Sequence, residues 1–386
     1  MGGEAGERAV RWGGEIIFHR EGAKSAKVNK SLCVLRGFAV NLSAPMPDTT
    51  TLLTALLDAG PEGFVSGEEL AGRLGVSRVS VWARLQKLQA EGLACEAVRG
   101  RGYRLRAEPG ALHPAVLAAY VRLRQRAKSP PGIDVIFLPE IDSTNLEAER
   151  RLAAGARAPF VVFAARQSAG RGRLGRAWHS AEAGGLYLSF AFRPQLPPAR
   201  MPKFTLWMAL RLCRMLNENY RLPVGVKWPN DLVHDGRKLA GLLTEARMDA
   251  DLMRELICGL GLNVNGDPAK WAGGAKGAAA ARVAGTLQQL NHGKPLPINA
   301  VAADVVLTGA RAYADFVAGR GEAEFDEQWA RFDTLRGREI SVMLPTGEVK
   351  GRAAGLDASG ALKLALPNGA TRLIQSGDVT LGGYGG

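Results

Sequence analysis

Residues 170–178 read Gly-Arg-Gly-Arg-Leu-Gly-Arg-Ala-Trp. Gly170, Gly172 and Gly175 let a backbone bend sharply and come close to a ligand. Arg171, Arg173 and Arg176 carry forked donors matched to phosphate and carboxylate oxygens. The apolar run 160–165 precedes this stretch and the apolar run 186–192 follows it. A strand–loop–strand setting is predicted, with a cationic loop suited to gathering anions. It is not a P-loop, because no Gly-Lys-Ser/Thr follows. It is not a dinucleotide fingerprint, because a strand rather than a helix comes next. Taken alone, the loop is also compatible with a solvated turn or a nucleic-acid contact.

Other stretches carry compatible chemistry. Val224-Gly225-Val226 predicts a short strand running into Lys227. Burying a lone ammonium is costly, so Lys227 is expected to face an anion. Pro229 fixes the turn that presents Asn230 and Asp231. Asp231 admits two readings, a Mg²⁺ or phosphate-site ligand and a plain turn aspartate. Asp235-Gly236 marks a hairpin turn. Residues 238–243 and 256–262 read as strands, and Gly259 and Gly261 permit close approach of a ligand or a neighbouring chain. Upstream, Ser143-Thr144-Asn145 opens a predicted helix, with Thr144 and Glu147 at capping-box spacing. A helix start also offers free donors to a ligand. Gln167 reads as a loop amide at the entrance to 170–178. Trp178 admits core packing or stacking on a planar base.

In their order along the chain, Ser143-Thr144-Asn145, the Gly-Arg loop, Lys227-Trp228-Pro229-Asn230-Asp231, the 238–243 stretch and Gly259-Leu260-Gly261-Leu262-Asn263-Val264-Asn265 resemble biotin–protein ligases. A DNA-binding-like module precedes them, so the resemblance is to the bifunctional branch that also represses the biotin operon. It covers roughly residues 50–386. The resemblance implies an α+β multidomain chain: an N-terminal winged helix-turn-helix, a central α/β class II synthetase-like (biotin/lipoyl ligase) domain with a mixed sheet, and a C-terminal SH3-like β-barrel. It implies biotin and ATP as substrates, with Mg²⁺. Biotinyl-5′-AMP forms first, and biotin then passes to a lysine of a biotin carboxyl carrier domain. Ser143, Thr144, Asn145, Gln167, Arg171, Gly172, Arg173 and Lys227 would then contact biotin. Arg173, Arg176, Trp178, Asn230 and Asn263 would serve the nucleotide. Arg171, Arg173 and Lys227 would be the catalytic set. Leu174 departs from some relatives, which carry another basic residue there. Other expected partners are a DNA operator and a second copy of the chain in a homodimer. A lipoyl ligase, a ligand-sensing repressor without ligase activity, and a ligase with a vestigial helix-turn-helix are the competing readings. Lys227 and the complete arginine set weigh against a mere sensor. The Gly-Arg loop together with Lys-Trp-Pro-Asn-Asp favours biotin over lipoate.

The elements that must position these groups follow from periodicity. Residues 1–47 read as a poorly ordered extension, with Met46 an alternative start. Residues 48–106 read as the winged helix-turn-helix. Leu52, Leu53, Leu56 and Leu57 mark a first helix, Ser66 to Glu69 a capping box for a second, and Ser77 a cap for a third. Over residues 73–106 eight Lys/Arg face only Glu91 and Glu96. Such an imbalance is the footprint of phosphate contact. Arg78, Ser80, Arg84 and Lys87 on the third helix, with Arg99 and Arg101 on the wing, are the candidate DNA contacts. A small helical interaction domain is the bland alternative. Residues 107–132 form a linker with a helix over 114–126. The catalytic domain spans 133–335, with helices over 201–218, 299–316 and 324–335, and the stretch 266–284 reads as a mobile loop. From 336 to 386 the pattern turns to period two around short Gly turns, which predicts a small barrel.

Composition sets the frame. A chain of 386 residues predicts two or three domains, and a net charge of +13 favours anionic partners. Cys33, Cys95, Cys213 and Cys258 are far apart, which argues against a disulfide framework or a zinc site. No run is long and apolar enough to span a membrane, and a cytoplasmic location is expected.

Overall fold

A computed structural model describes residues 38–41, 48–125, 132–180, 184–249, 251–270 and 283–381. Its first strand, β1 (Phe38–Asn41), pairs antiparallel with residues 134–137. Part of the stretch read as a poorly ordered extension is therefore an edge strand of the main sheet. The rest of that extension, linker residues 126–131 and most of the stretch 266–284 lie outside the described residues.

The leucine spacing of residues 52–57 builds α1 (Asp48–Ala59), which fully buries Leu52, Leu53 and Leu56. Ser66 caps α2 (Gly67–Leu74) by accepting the Glu69 N–H at 3.1 Å. The reciprocal half of the predicted capping box is replaced, because the Glu69 carboxylate pairs with Arg73 one turn on. Gly75, at φ +65°, ends α2 in the left-handed conformation that glycine adopts without strain. Ser77 caps α3 (Arg78–Ala90), whose Val81, Leu85 and Leu88 face inward. The strands β2 (Ala94–Val98) and β3 (Gly102–Ala107) form the wing, and the module encloses a core of its own.

The expected linker helix, α4 (Pro114–Gln125), serves both sides. Val116 and Ala119 enter the N-terminal core, while Leu117 and Val121 enter the main core. Polar contacts reinforce the join. Asn299 Oδ1 accepts the His113 N–H at 2.7 Å, and its Nδ2 donates to Glu108 at 3.0 Å. Arg124 forks onto Asp304.

The main sheet is mixed. Its elements are β4 (Asp134–Ile141), α5 (Thr144–Ala153), β5 (Phe160–Gln167), β6 (Gly185–Phe192), α6 (Met201–Tyr220), β7 (Gly225–Lys227), β8 (Asp231–His234), β9 (Arg237–Asp249), β10 (Leu252–Asn263), α7 (Leu287–Leu290), α8 (Ile298–Val317) and α9 (Glu322–Phe332). The strand order is β1-β4-β5-β6-β10-β9-β8-β7, with only β4 and β5 parallel among the neighbours described. In β5, Phe160, Val162 and Ala164 lie on the α5 face, whereas Val161 and Phe163 lie on the α6–α8 face. Helices cover both faces, which explains an unbroken apolar run rather than alternation. The hairpin β9–β10 runs further than predicted, because its pairing continues outward to Leu252 and Asp249.

The C-terminal strands β11 (Glu339–Leu344), β12 (Gly347–Leu356), β13 (Leu362–Ala365), β14 (Thr371–Ile374) and β15 (Asp378–Leu381) form an antiparallel sheet in the order β14-β13-β12-β11-β15. The sheet shares the main core through Ile340, Val342 and Leu364. Among the described residues no helix is long and apolar enough to cross a membrane.

Candidate functional site

The loop between β5 and β6 folds back on itself. The Gly172 N–H donates to the Arg176 carbonyl at 2.7 Å, and the Trp178 N–H donates to the Gly170 carbonyl at 2.8 Å. Gly170 is required by proximity, since a β-carbon there would lie 2.6 Å from the Trp178 carbonyl oxygen. Gly175 is required by its φ of +71°. Leu174, at φ +55°, sits at the tip and is exposed. The tight hairpin points Arg171, Arg173 and Arg176 in different directions, so each reaches a different cleft.

Arg171 reaches the α5 side. Its guanidinium meets Glu245 Oε1 at 3.0 Å, and Glu245 Oε2 accepts from Asn145 Nδ2 at 2.7 Å. The Ser189 hydroxyl donates to Asn145 Oδ1 at 2.5 Å and lies 2.8 Å from Thr144 Oγ1. Gln167 Oε1 accepts the Thr144 N–H at 2.8 Å and its hydroxyl at 3.1 Å. Ser143, Thr144 and Asn145 are all buried, as the tip of α5 dips into the sheet. Gly259 makes this possible: a β-carbon there would lie 2.2 Å from Asn145 Oδ1. The predicted Thr144–Glu147 capping box is not formed. Ser143 takes the cap position without a side-chain bond, and Glu147 pairs instead with Arg150 and Arg151. The helix start therefore keeps its polar side chains facing one small cavity, lined by Asn145, Gln167, Arg171, Trp178, Gly241 and Gly261 among others.

Trp178 resolves into neither of its two expected roles alone. Its indole is half-buried against Gly241 and Gly261, and its Nε1 is buried with no hydrogen-bond partner among the described residues. Lys238 Nζ lies 5.5 Å from the ring centroid, a cation–π contact. A flat aromatic with a free donor at a cavity wall is suited to a planar ligand.

Arg173 reaches the second cleft, of about 290 Å³, where its Nη1 donates to Asn230 Oδ1 at 3.1 Å. Burial lowers its pKa from the ordinary arginine value. Asn230 is fixed in turn by donating to the Leu242 carbonyl at 2.7 Å. Arg176 reaches the third cleft, of about 580 Å³, which Lys227, Asp231, Lys238 and Asp378 also line. Arg176 pairs there with Asp378 of β15, so the C-terminal sheet supplies part of the wall. Lys227 is half-buried, and burial holds its ammonium below the usual lysine range. Asp231, its nearest acidic neighbour in sequence, is paired with Lys238 at 2.7 Å. Lys227 has no ion-pair partner among the described residues, which leaves its charge directed at the cleft.

Asn263 stands apart from the other expected site residues. Its Nδ2 donates to the carbonyls of Gly285 at 3.0 Å and Lys238 at 3.3 Å. It clamps β9 to the following segment and lines none of these three clefts. Gly172 serves the loop hairpin itself. Ser189, Glu245, Lys238 and Asp378 were missed by the sequence reading. Ser189 left one signal, a lone serine within an otherwise apolar and aromatic strand. The other three look like ordinary surface charges until the sheet brings them to the site.

In the N-terminal module, Arg78, Lys87, Arg99 and Arg101 are exposed. Arg101 also stacks over Phe64 at 4.0 Å. Arg84 differs from expectation: its guanidinium is held by Asp48 of α1 at 2.6 Å. Ser80 is tied into the cap of α3 by its N–H and hydroxyl contacts to Ser77.

Asp231 and Asp378 are the carboxylates of the third cleft that act on Lys227 and Arg176, and among the described residues no group of three His, Cys, Asp or Glu side chains is placed to hold a metal ion. That donor set suits Mg²⁺ carried by substrate phosphates, which keeps most of its other ligands from water and phosphate.

Comparison with known proteins agrees in each region. Residues 49–104 match a helix-turn-helix domain, 137–263 the biotin/lipoate A/B protein ligase family, and 336–382 the biotin protein ligase C-terminal domain. The chain is 31% identical over 331 residues to the bifunctional ligase/repressor BirA of Bacillus subtilis, covering 86% of this chain and 98% of that one. It is 30% identical over 345 residues to the BirA of Escherichia coli, covering 87% and 98%. Among solved structures, the biotin protein ligase from Aquifex aeolicus in complex with biotin and ATP aligns with a TM-score of 0.51 and 28% identity, over 64% of this chain and 97% of that one. That match covers a smaller share of this chain than do the two BirA proteins. By this likeness over most of its length the chain belongs to the biotin protein ligases of the bifunctional ligase/repressor type.

Proposed function

We propose that the protein is an ATP-dependent biotin–protein ligase that doubles as a DNA-binding repressor. A biotin carboxylate oxygen attacks the α-phosphorus of ATP, the bond to pyrophosphate breaks, and biotinyl-5′-AMP forms. The ε-amine of a carrier-domain lysine then attacks the acyl carbon, and AMP leaves as the amide forms. Neither step needs a nucleophile from the protein, so the work is positioning and charge neutralisation.

One observation carries this reading: three arginines of a single hairpin reach three adjoining clefts, and Lys227 lines one of them while Asp231 and Asp378 beside it are paired with Lys238 and Arg176. The reactants are both anions and repel each other in a low-dielectric site. Arg171, Arg173, Arg176 and Lys227 offset that repulsion. The Ser143–Asn145 tip, with Gln167 and Ser189, offers the fixed donors and acceptors that a neutral polar ring requires. Trp178 and Asn230 serve the nucleotide. Mg²⁺, when bound with the triphosphate, further neutralises its charge, with Asp231 the nearest side chain to hold it. Asn263 acts through the backbone it clamps.

The proposed boundaries are 48–106 for the DNA-binding module, 107–132 for the linker, 133–335 for the ligase and 336–386 for the C-terminal barrel. Homodimerisation on a two-fold operator and a cytoplasmic location complete the proposal, since recognition of paired half-sites calls for paired modules. A lipoyl ligase is the second reading, because the matched family includes such enzymes. The C-terminal match to biotin protein ligases favours biotin. The test is to incubate the protein with MgATP, a carrier domain, and either biotin or lipoate. A carrier mass increase with biotin alone supports the proposal, and an increase with lipoate alone rejects it.

A further inference from the structure

The outward face of α3 is apolar at its centre. Val79 is 75% exposed and Trp82 is 52% exposed, although the module has a well-filled core. Ala83 and Gln86 are exposed beside them. Residues 79, 82, 83 and 86 are spaced i, i+3, i+4 and i+7, so they share one helix face. The inward face is held by Val81, Leu85 and Leu88. The charged residues lie at the margin of the stripe: Arg78 at its start, Lys87 to one side, and Arg99 and Arg101 on the wing. Arg84 is turned back to Asp48. The face thus has an uncharged centre and a basic rim. A duplex matches that arrangement, with phosphates at the rim and base edges at the centre.

The chemistry of the stripe points to one class of base pair. In the major groove, the thymine C5-methyl is the apolar group, and adenine N6/N7 pairs bidentately with a glutamine amide. We infer that Val79 and Trp82, with Gln86, read A·T pairs in the operator half-site by packing on thymine methyls and bonding adenine. The inference rests on the DNA-binding half of the function proposed above and adds which side chains discriminate and what they discriminate for. The arginines then set affinity and register and carry little sequence information.

The experiment uses the full chain with biotin and MgATP. Duplexes are selected from a randomised pool, and the selected site is resynthesised with each thymine replaced singly by uracil. The expected site has A·T pairs at the centre of each half-site. Loss of a packed methyl is expected to weaken binding about fourfold, the equivalent of burying one such group. In Trp82→Ala or Val79→Ala the thymine-to-uracil affinity ratio falls to one at the position each side chain covers. Gln86→Ala relaxes the adenine preference. A selected site rich in G·C, or one indifferent to uracil, overturns the inference while leaving DNA binding intact. Recovery of no duplex at all overturns DNA binding itself. If Trp82→Ala shifts the sedimentation of the protein and leaves DNA affinity unchanged, the face docks a second copy and the inference fails.

Discussion

A β-carbon on Gly261 would lie 2.2 Å from Trp178 Cε2. The indole therefore fills the space that a side chain on β10 would take. The same strand leaves room for Asn145 at Gly259. Two glycines, two residues apart on one sheet face, make the pocket floor.

Gly261→Ala is expected to push Trp178 off that floor. Overpacking of this kind costs about 1–3 kcal/mol where neighbours cannot yield. Trp178 sits on a loop and can yield, so the loss is expected in nucleotide binding more than in stability. Intrinsic fluorescence and the KM for ATP in pyrophosphate exchange test this. An unchanged KM with an unchanged spectrum would reject the placement of the indole.

Ser189→Ala removes the hydroxyl that faces Asn145 and Thr144. A buried oxygen left without its donor costs about 1–3 kcal/mol. Urea unfolding should show that loss. The biotin Kd should rise roughly tenfold, which is about 1.4 kcal/mol, because Asn145 is no longer held. Calorimetric titration with biotin alone isolates the effect from ATP.

Arg173→Ala removes both a cation and the contact to Asn230. Adenylate formation is expected to slow by roughly 10²–10³-fold, the scale for losing one positioned charge-stabilising donor. Retention should also fail, so biotinyl-AMP should appear free after gel filtration of a single-turnover mixture. A variant that forms and keeps the adenylate normally would remove Arg173 from the site.

Lys227→Ala is expected to abolish adenylation without altering the circular dichroism spectrum. The native protein carries a pH signature of the same residue. Burial depresses the Lys227 pKa, so the folded state releases this proton at lower pH than the unfolded chain. Between the two pKa values the unfolded chain binds more protons, and this group's contribution to stability rises with pH through that window. Activity moves the opposite way, since the neutral amine no longer offsets two anions. Adenylation should therefore fall on an alkaline limb below the free-lysine range, and Lys227→Arg should shift that limb upward. A limb unmoved by Lys227→Arg would assign it to another group.

Operator binding should require the ligand. Gel shift on the protein's own upstream DNA is expected to tighten with biotin and MgATP together, in step with dimer formation in sedimentation. Equal binding with and without the adenylate would separate the helix-turn-helix from the ligase.

Much of this was legible along the chain. Leucine spacing, Ser caps and Gly turns are local signals, and they placed α1 to α3, the wing, the Gly-Arg loop between two strands and the final antiparallel strands. Lys227 announced itself through the cost of burying a lone charge beside Val226. Local reasoning failed where partners were remote. Glu147 had the right spacing for a cap, yet Arg150 and Arg151 compete for it. Arg84 had the right charge for DNA, yet Asp48, thirty-six residues away, holds it.

The sequence by itself determined which groups can handle anions and which stretches are strand or helix, because charge, chirality and periodicity act over a few residues. The tertiary structure alone decided which polar atoms meet. Glu245 joins Arg171 to Asn145, Asp378 reaches Arg176 across a domain boundary, and Trp82 is left facing outward. Each depends on strand order and helix docking, where contacts form between segments tens to hundreds of residues apart and no local pattern records them.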